Sequence, residues 1–448
     1  MNHVNATGSD IRFMSSTLAP AGFTQETFDA FMATREEPSW LVDLRQSAWS
    51  RFNELAMPSG REEEWMRTDI RMLKLSQYSL STEVAAIETP QGLLAEGVEL
   101  GGRTVSVDSH TTESELADRL AGQGVLFGSL DTLVAEHGDK LRPYIERKLV
   151  DPLYDKFSAL NSACWSGGNL LFVPQGVQVE EPLHCLSVLS DGGVDLGKTL
   201  VILEQGAEAT LLAETASVGA ESGGLHCGSI ELIVERGARL RYVNLQNWSH
   251  RVWHFAHQMG HVGAGGKLQW TIGALGSRLA KVNQRVALTG SDAEAQVNGV
   301  MFTQGKQHLC YNTHQHHQAP YCQSDLLYKS ALQDHSRTVW RGMIKVDNAA
   351  QRTNAYQRND NLMLAPTARA DSIPGLEIEA DDVRCTHGST SGRVDDEQLF
   401  YAMTRGYTRQ EAVRMIVTGF FQQVFDRITI ESVREALGEA IGQRVQQL

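Results

Sequence analysis

The sequence predicts a mainly β protein in which a β-solenoid core lies between N-terminal and C-terminal helical regions. From about residue 161, short segments with β-branched residues and alternating polarity follow one another, as in Thr199–Glu204, Ile230–Glu235 and Leu240–Leu245. Turn-forming dipeptides separate these segments at intervals of about 30 residues. Apolar residues at helical spacing occur on both sides of this stretch, which places helices before and after the core.

The turn signals form two interleaved series, so that each repeat of about 30 residues contains two turns. This spacing favours one solenoid coil per repeat, because each coil then pairs with the coils above and below it and encloses an apolar interior. The alternative is a β-sandwich, whose turns usually come about every 8–12 residues, whereas the clear turns here are about 15 residues apart. The first series is Gln175-Gly176, Gln205-Gly206, Arg236-Gly237, Gly265-Gly266 and Thr289-Gly290, continuing through Ala319-Pro320 and Asp347-Asn348, and the second is Gly276-Ser277, Gly305-Lys306 and Asp334-His335.

Four regions follow from these patterns: a helical region over residues 1–95, a mixed connecting region over 96–160, the β-helix core over 161–375 and a helical domain over 376–448. In the first region, Pro38 suits the first position of a helix. Arg61–Ile70 is predicted to be a second helix or a turn. The apolar residues of the first helix, at helical spacing, are Leu41, Leu44, Ala48, Phe52 and Leu55.

The C-terminal domain contains three predicted helices. Asp395-Asp396 caps the first helix and Gly406 ends it, and Thr408 with Glu411 forms a capping box for the second. The second helix has a wide apolar stripe, which is more often core than partner surface but is large enough to serve both purposes. The stripe consists of Val413, Ile416, Val417, Phe420, Val424, Phe425 and Ile428, and the last helix has Val433, Leu437, Ile441 and Val445.

Composition excludes several classes of protein. Forty Lys and Arg face 54 Asp and Glu, a net charge of −14, so a nucleic acid or an anionic membrane would be repelled. No apolar run of about 18 residues is present, and the N-terminus lacks the pattern of a signal peptide. Six cysteines without a CxxC pair are typical of reduced thiols. We therefore expect a cytoplasmic protein.

One motif match is misleading. Gly192–Thr199 fits the phosphate-binding pattern GxxxxGK[ST], but that chemistry requires a helix directly after the lysine. Here the residues after Lys198 have a strand pattern that ends in a turn. We predict no nucleotide site in this chain.

A second candidate site lies in the segment His308–Cys322, which also contains Cys310. Its ligand types suit zinc or iron, and His314 and His316 would lie on one face of a strand. The spacing fits no standard zinc module, so a hydrogen-bonded ladder between coils is the alternative. The residues left open between metal site and ladder are His314, His316, His317 and Cys322.

From Ser324 onwards, the sequence contains longer motifs, which are more specific than the short patterns above. They include SRTVWRGMIKV over residues 336–346, ARADSIPGLEIEADDVRCTHGSTSGR over 368–393 and DDEQLFYAMTRG over 395–406. Together they resemble the SufB/SufD family of iron–sulfur cluster assembly proteins, over about 280 residues. A weaker similarity appears in Glu37–Leu41 and Glu64–Ile70.

Within that family, two positions favour the SufD branch. The SufB pattern has a cysteine where this chain has Asn359, and glutamates on both sides of the later histidine, where this chain has Thr386 and Gly388 around His387. The resemblance implies a right-handed parallel β-helix flanked by helical domains. It also implies a non-catalytic scaffold that pairs with SufB and binds the ATPase SufC, where ATP hydrolysis would take place. An isolated chain could form a homodimer.

The resemblance also implies the site. His387 matches a histidine implicated in iron binding or cluster formation, and Cys385 matches a neighbouring interface cysteine, so iron or a nascent iron–sulfur cluster would be held where this chain meets SufB. Cys385 and His387 alternate along an extended strand and would point to one face. The sequence leaves open whether a flavin takes part. The residues expected to dock SufC are Leu399, Phe400, Val413, Ile416, Val417, Phe420 and Phe421.

Two rival functions stay open at this point. One is a stand-alone metal-dependent β-helix or cupin-like enzyme that uses the His308–Cys322 cluster. The other is a SufB-like scaffold that carries sulfur itself, which the absence of a cysteine at Asn359 disfavours.

Overall fold

A computed structural model describes residues 22–80 and 87–445 of the 448-residue chain. The protein is mainly β, with helices at both ends, as predicted. The helices are α1 (Gln25–Ala33), α2 (Ser39–Glu54), α3 (Asp118–Gly122), α4 (Leu130–Ile145), α5 (Lys156–Cys164), α6 (Asp396–Thr404), α7 (Arg409–Phe425) and α8 (Glu431–Val445), with a short 3-10 helix at Leu75–Gln77.

The strands before the middle of the chain are β1 (Gly102–Val107), β2 (His110–Leu116), β3 (Leu126–Ser129), β4 (Asn169–Val173), β5 (Leu183–Leu189), β6 (Gly193–Asp195), β7 (Lys198–Leu203), β8 (Glu208–Ser217), β9 (Gly223–Val234) and β10 (Arg239–Asn247). Those after it are β11 (Arg251–Val262), β12 (Lys267–Ala274), β13 (Leu279–Leu288), β14 (Glu294–Thr303), β15 (His308–His317), β16 (Gln323–Leu332), β17 (Arg337–Val346), β18 (Asn354–Met363), β19 (Arg369–Ile378) and β20 (Arg384–Arg393).

These strands form a parallel β-solenoid of about eight coils, which confirms the predicted fold class. Sheet one has the order β2-β1-β5-β8-β10-β12-β14-β16-β18-β20, and sheet two has the order β19-β17-β15-β13-β11-β9-β7-β4-β3, with β6 also paired to β9. Every strand pair is parallel except β1 with β2 and β3 with β4. Each coil therefore contributes one strand to each sheet, and the strands between the two ends of a sheet pair with the coil before and the coil after them.

The turns lie close to where the sequence places them. Gly176, Gly206, Gly237 and Gly265 all have positive φ, between 63° and 75°, as a tight turn between strands requires. The fifth turn differs slightly, because its left-handed residue is Asp292 rather than a residue of the predicted pair at 289–290. Asp tolerates the left-handed region because its short side chain bonds locally.

The predicted boundaries of the core need two corrections. The boundary at 375 is wrong, because β19 runs to Ile378 and β20 adds a further solenoid strand as far as Arg393. The connecting region over 96–160 is not separate from the solenoid either, because β1 pairs in parallel with β5 and begins sheet one. The sequence does not indicate β1 and β20 as parts of the repeat, because β20 is too polar and β1 is too short.

The helices cover the outer faces of the two sheets. The α7 helix packs on β14 and β16 of sheet one, where Val417 and Phe421 are fully buried against Phe302 and Leu327. The N-terminal helices cover part of sheet two, where Trp65 packs beside Phe255. The solenoid interior is a separate apolar core that continues through most of the coils.

Local signals at the helix ends are confirmed, except that Pro38 is the N-cap of α2 rather than its first residue. The α2 helix begins at Ser39, directly after Pro38, and the capping box of Thr408 and Glu411 opens α7. Asp395 caps α6 by accepting from the backbone N–H of Glu397 at 2.8 Å. Residues 61–70 form turns rather than a helix.

Candidate functional site at the open end of the solenoid

The last coil of the solenoid leaves both sheets open. β20 is the final strand of sheet one and β19 is the final strand of sheet two, and within residues 22–80 and 87–445 no further strand pairs with either outer edge. An open edge exposes backbone N–H and C=O groups that can pair with another chain. This end of the molecule is therefore suited to docking by strand addition.

Cys385 and His387 continue the interior face of the solenoid at this end. Cys385 lies in register with Ala355, and His387 lies in register with Gln357. Ala355 and Gln357 are buried and point into the interior, where Gln357 Nε2 donates to the carbonyl of Gly375 at 3.0 Å. Because side chains in register share a face, Cys385 and His387 occupy the same face, as predicted.

The two side chains differ in exposure. Cys385 is half-buried and packs with Ala355 and Ile344 of the preceding coils, whereas His387 is exposed. Burial raises the pKa of the Cys385 thiol, although a hydrogen bond from the backbone of Ala355 acts in the opposite direction. The thiol is therefore the stable form in the isolated chain, and binding of a metal ion would have to displace its proton.

Apolar side chains lie at the same open end. Leu376 and Ile378 of β19 are 37% and 40% exposed, although the pairing of β19 with β17 puts them in register with the buried residues Ile344 and Val346. They are core positions of a coil that has no further coil beyond it in the part of the chain that the structure describes. Exposed apolar residues beside an open strand edge are typical of a protein–protein interface.

Asn359 is buried on the interior face of β18. Its side-chain oxygen accepts from the amide of Asn361 at 2.8 Å and from the hydroxyl of Ser372. The Asn361 amide also lies 3.2 Å from the hydroxyl of Ser391. The residue at 359 thus belongs to a polar ladder that leads to the last coil.

The His308–Cys322 segment behaves as a ladder. His316 Nε2 lies 2.8 Å from Asp347, His317 Nε2 lies 2.8 Å from the hydroxyl of Ser324, and the Cys322 thiol donates to a backbone carbonyl at 3.2 Å. The rings of His314 and His316 stack at 5.6 Å, so their one-face placement is confirmed. Among the residues that the structure describes, no group of three or more His, Cys, Asp or Glu side chains could hold a metal ion.

The phosphate-binding pattern has no helix. Lys198 begins β7, and its Nζ forms an ion pair with Glu231 at 2.7 Å. The segment lacks the helix N-terminus that would hold a phosphate, and the predicted strand after Lys198 is confirmed.

Most of the residues predicted to dock a partner on the C-terminal helices are buried within the protein rather than exposed. Of the predicted docking residues, Leu399, Val413, Val417 and Phe421 are buried in the packing against sheet one, and Ile416 and Phe420 are half-buried. A neighbouring set of large side chains is instead exposed and was missed apart from Phe400. We call it the aromatic face, and it consists of Phe400, Tyr401, Met403, Tyr407 and Met415.

The exposure of Phe400 and Tyr401 follows from the geometry of α6. A helix of nine residues that buries Leu399 against the domain must turn the adjacent Phe400 and Tyr401 away from it. Adjacent aromatic residues beside a buried leucine are the sequence signal that could have indicated it. In the described part of the chain, no helix is long and apolar enough to cross a membrane.

Comparisons with known proteins match almost the whole chain. The family model described as SUF system FeS cluster assembly, SufBD core domain, matches residues 187–420, and the model for the SufBD protein N-terminal region matches residues 28–185. An iron–sulfur cluster assembly SufBD family protein of Staphylococcus epidermidis (strain ATCC 12228) is 28% identical over 424 residues, which cover 92% of this chain and 90% of the relative. The iron–sulfur cluster assembly protein SufB of Bacillus subtilis (strain 168) is 27% identical over 427 residues, with the same coverage. These similarities do not separate the SufB branch from the SufD branch.

Proposed function

Because the chain belongs to the SufBD family of iron–sulfur cluster assembly proteins, we propose that it is a SufD-like scaffold subunit of a Suf complex. In this role it pairs with SufB at the open end of the solenoid, binds the ATPase SufC through its C-terminal helices, and holds iron or a nascent cluster where it meets SufB. It carries out no nucleotide chemistry of its own. The observation that carries the proposal is the uncovered last coil, on which Cys385 and His387 share one face.

The chemistry of these two side chains supports the proposal. Thiolate and neutral imidazole are the ligand forms that bind iron and iron–sulfur clusters. Two ligands from one chain are an incomplete set, because iron–sulfur clusters use about four. The remaining ligands would have to come from a chain that docks on the same edge. The exposed Leu376 and Ile378 provide apolar area for that docking.

The SufD-like assignment depends on residues 359, 386 and 388. Asn359 stands where the SufB pattern has a cysteine, and its side-chain oxygen accepts two hydrogen bonds in the polar ladder. Thr386 and Gly388 stand where that pattern has glutamates. This chain therefore offers neither the thiol nor the carboxylates of a sulfur-carrying site at those positions.

The experiment is co-expression with SufB and SufC, followed by anaerobic cluster assembly on the purified complex. We expect His387→Ala to leave complex formation intact and to lower the iron and sulfide content by about tenfold or more, the scale of losing a metal-site group. Ser389→Ala is the matched control, because Ser389 lies two residues further along the same face of β20. Cluster loading by His387→Ala at the level of the parent would contradict the assigned role.

The partner-docking assignment needs a finer test than removal of the C-terminal domain. Deletion of residues 376–448 would remove β20 and the helices that cover sheet one, so loss of SufC binding would not be specific. The aromatic face is exposed and offers single residues for substitution without loss of core. We propose that SufC binds there, with the half-buried Ile416 and Phe420 beside it.

A second candidate is a SufB-like scaffold that carries sulfur itself, which the similarity to a relative named SufB favours. The two roles differ in one measurement. A sulfur-carrying scaffold accumulates persulfide on its own cysteines when a sulfur donor is supplied, and a SufD-like subunit does not. Mass spectrometry of this chain after exposure to the donor, with SufB present, distinguishes them.

A further inference from the structure

A buried lysine and a buried cysteine meet on sheet two, far along the chain from Cys385. Lys281 of β13 and Cys310 of β15 are in register on neighbouring coils. Lys281 is only 2% exposed, and Cys310 is also buried. The Lys281 Nζ lies 3.5 Å from the Cys310 Sγ, within hydrogen-bond distance for sulfur.

The surroundings of the Lys281 ammonium contain no strong counter-charge. Its Nζ donates to the backbone carbonyl of Glu64 at 2.8 Å and lies 5.3 Å from the centre of the Trp65 ring. Among the described residues, none of the ion pairs within 4 Å includes Lys281. A buried charge without an opposite charge is costly. Covalent modification of this nitrogen would remove the charge, and the Cys310 sulfur is a reactive group in contact with it.

The buried Cys185, Cys227 and Cys322 have different surroundings. The Cys227 thiol donates to the carbonyl of Phe157 at 3.2 Å, and the Cys322 thiol donates to the carbonyl of Gly290 at the same distance. Burial raises the pKa of the Cys185 thiol to about 12. A link between a cysteine and a lysine requires the sulfur to lie in contact with the amine nitrogen. Cys310 has this contact.

We propose that Lys281 and Cys310 are a redox modification site at which dioxygen forms a covalent N–O–S bridge. The thiol and the ammonium lose the S–H bond and two N–H bonds, one oxygen atom joins nitrogen to sulfur, and the second oxygen atom leaves as water. The balance is thiol plus ammonium plus O₂, giving the S–O–N(H) bridge, one water and one proton. Sulfur and nitrogen each supply two electrons to the oxygen. An inserted oxygen atom spans the 3.5 Å gap with less movement than a direct S–N bond would need.

The bridge would weaken the contact between the N-terminal region and the solenoid. The turn at Glu63 and Glu64 is held to the solenoid side by Arg341, at 2.7 Å from Glu63, by the hydroxyl of Tyr154, which bonds Glu64, and by Lys281. Bridging converts the ammonium to a neutral N–H, which is a weaker donor to the Glu64 carbonyl. Oxidation therefore loosens this turn and neutralises a buried charge in one step.

Mass spectrometry tests the bridge on the full-length chain. The protein is kept either anaerobic with reductant or under dioxygen, then digested with a glutamate-specific protease. We expect a linked pair of peptides containing Lys281 and Cys310, heavier than their sum by one oxygen and lighter by two hydrogens, in the oxygen-exposed sample only. A thiol reductant should remove it. Cys322→Ser should leave the linked pair unchanged, and Cys310→Ser should abolish it.

Two further variants keep the test decisive. Lys281→Met removes the amine, and Lys281→Arg retains a positive charge if the first variant fails to fold; neither can form the bridge. Tryptic cleavage after the exposed Arg61 should be faster in the oxidised parent than in the reduced parent. Unlinked Cys310 in the folded, oxygen-exposed parent would overturn the proposal. So would a direct S–N bond, or a sulfenic acid on Cys310 without a link.

Discussion

Replacing Phe400 by alanine should weaken binding of SufC without weakening the fold. Phe400 is 70% exposed on α6, the most exposed member of the aromatic face. Full burial of a phenylalanine side chain is worth about 1.5–3 kcal/mol, so burying the exposed seven tenths contributes about 1–2 kcal/mol. Since each 1.4 kcal/mol changes Kd tenfold, the expected effect is an increase in Kd of about 5- to 30-fold.

The fold should tolerate the change, because the ring makes few contacts within the chain and alanine has the higher helix propensity. The free energy of unfolding should stay within about 0.5 kcal/mol of the parent. Titration calorimetry with purified SufC gives Kd, and chemical unfolding of the same samples gives stability. Met72→Ala is the matched control, because Met72 is 71% exposed and lies in the N-terminal region, whose helices cover sheet two rather than sheet one.

Two results would contradict a role of the aromatic face in SufC binding. An unchanged Kd for Phe400→Ala, within about twofold, would place the SufC surface elsewhere on the C-terminal domain. An equal rise in Kd for Met72→Ala would show that loss of any exposed apolar side chain has this effect, and the aromatic face would have no special role.

Three further predictions concern the fold. Phe421→Ala, at a fully buried position in α7, should lower the free energy of unfolding by about 3–5 kcal/mol, and a loss below about 1 kcal/mol in urea unfolding would contradict its packing on sheet one. Burial raises the pKa of Asp155, but the ion pair with His257 and two backbone N–H bonds outweigh it, so the folded pKa lies below the ordinary value of 3.8. The stabilising contribution of Asp155 is therefore complete above about pH 4 and is lost as the pH falls through the folded pKa. When the free energy of unfolding is measured from pH 6 downwards, it should fall less below about pH 4 in Asp155→Asn than in the parent. Gly276→Ala would place a Cβ 2.1 Å from the carbonyl oxygen of Trp248, so the melting temperature should fall, whereas an unchanged value would show that the turn can shift.

The candidate site could be predicted only in part. Alternation along a strand is enough to place Cys385 and His387 on one face, because side chains in any strand have a period of two. Family resemblance singled them out among the other His and Cys residues. Their position at an open end could not be predicted, since β20 contains few apolar residues and was assigned to the helical domain. A last coil with one uncovered side does not need the apolar pattern that identifies interior strands.

The sequence by itself determined the solenoid, because turn residues and β-branched segments act locally and repeat in every coil. It also determined the starts of α6 and α7, since their caps are made by residues two or three positions apart. The tertiary structure alone decided which side of α6 faces outwards and which residues meet across coils. Lys281 and Cys310 are 29 residues apart, and they meet because β13 and β15 pair in register. That register depends on the length of every turn between the strands, so no local pattern contains it.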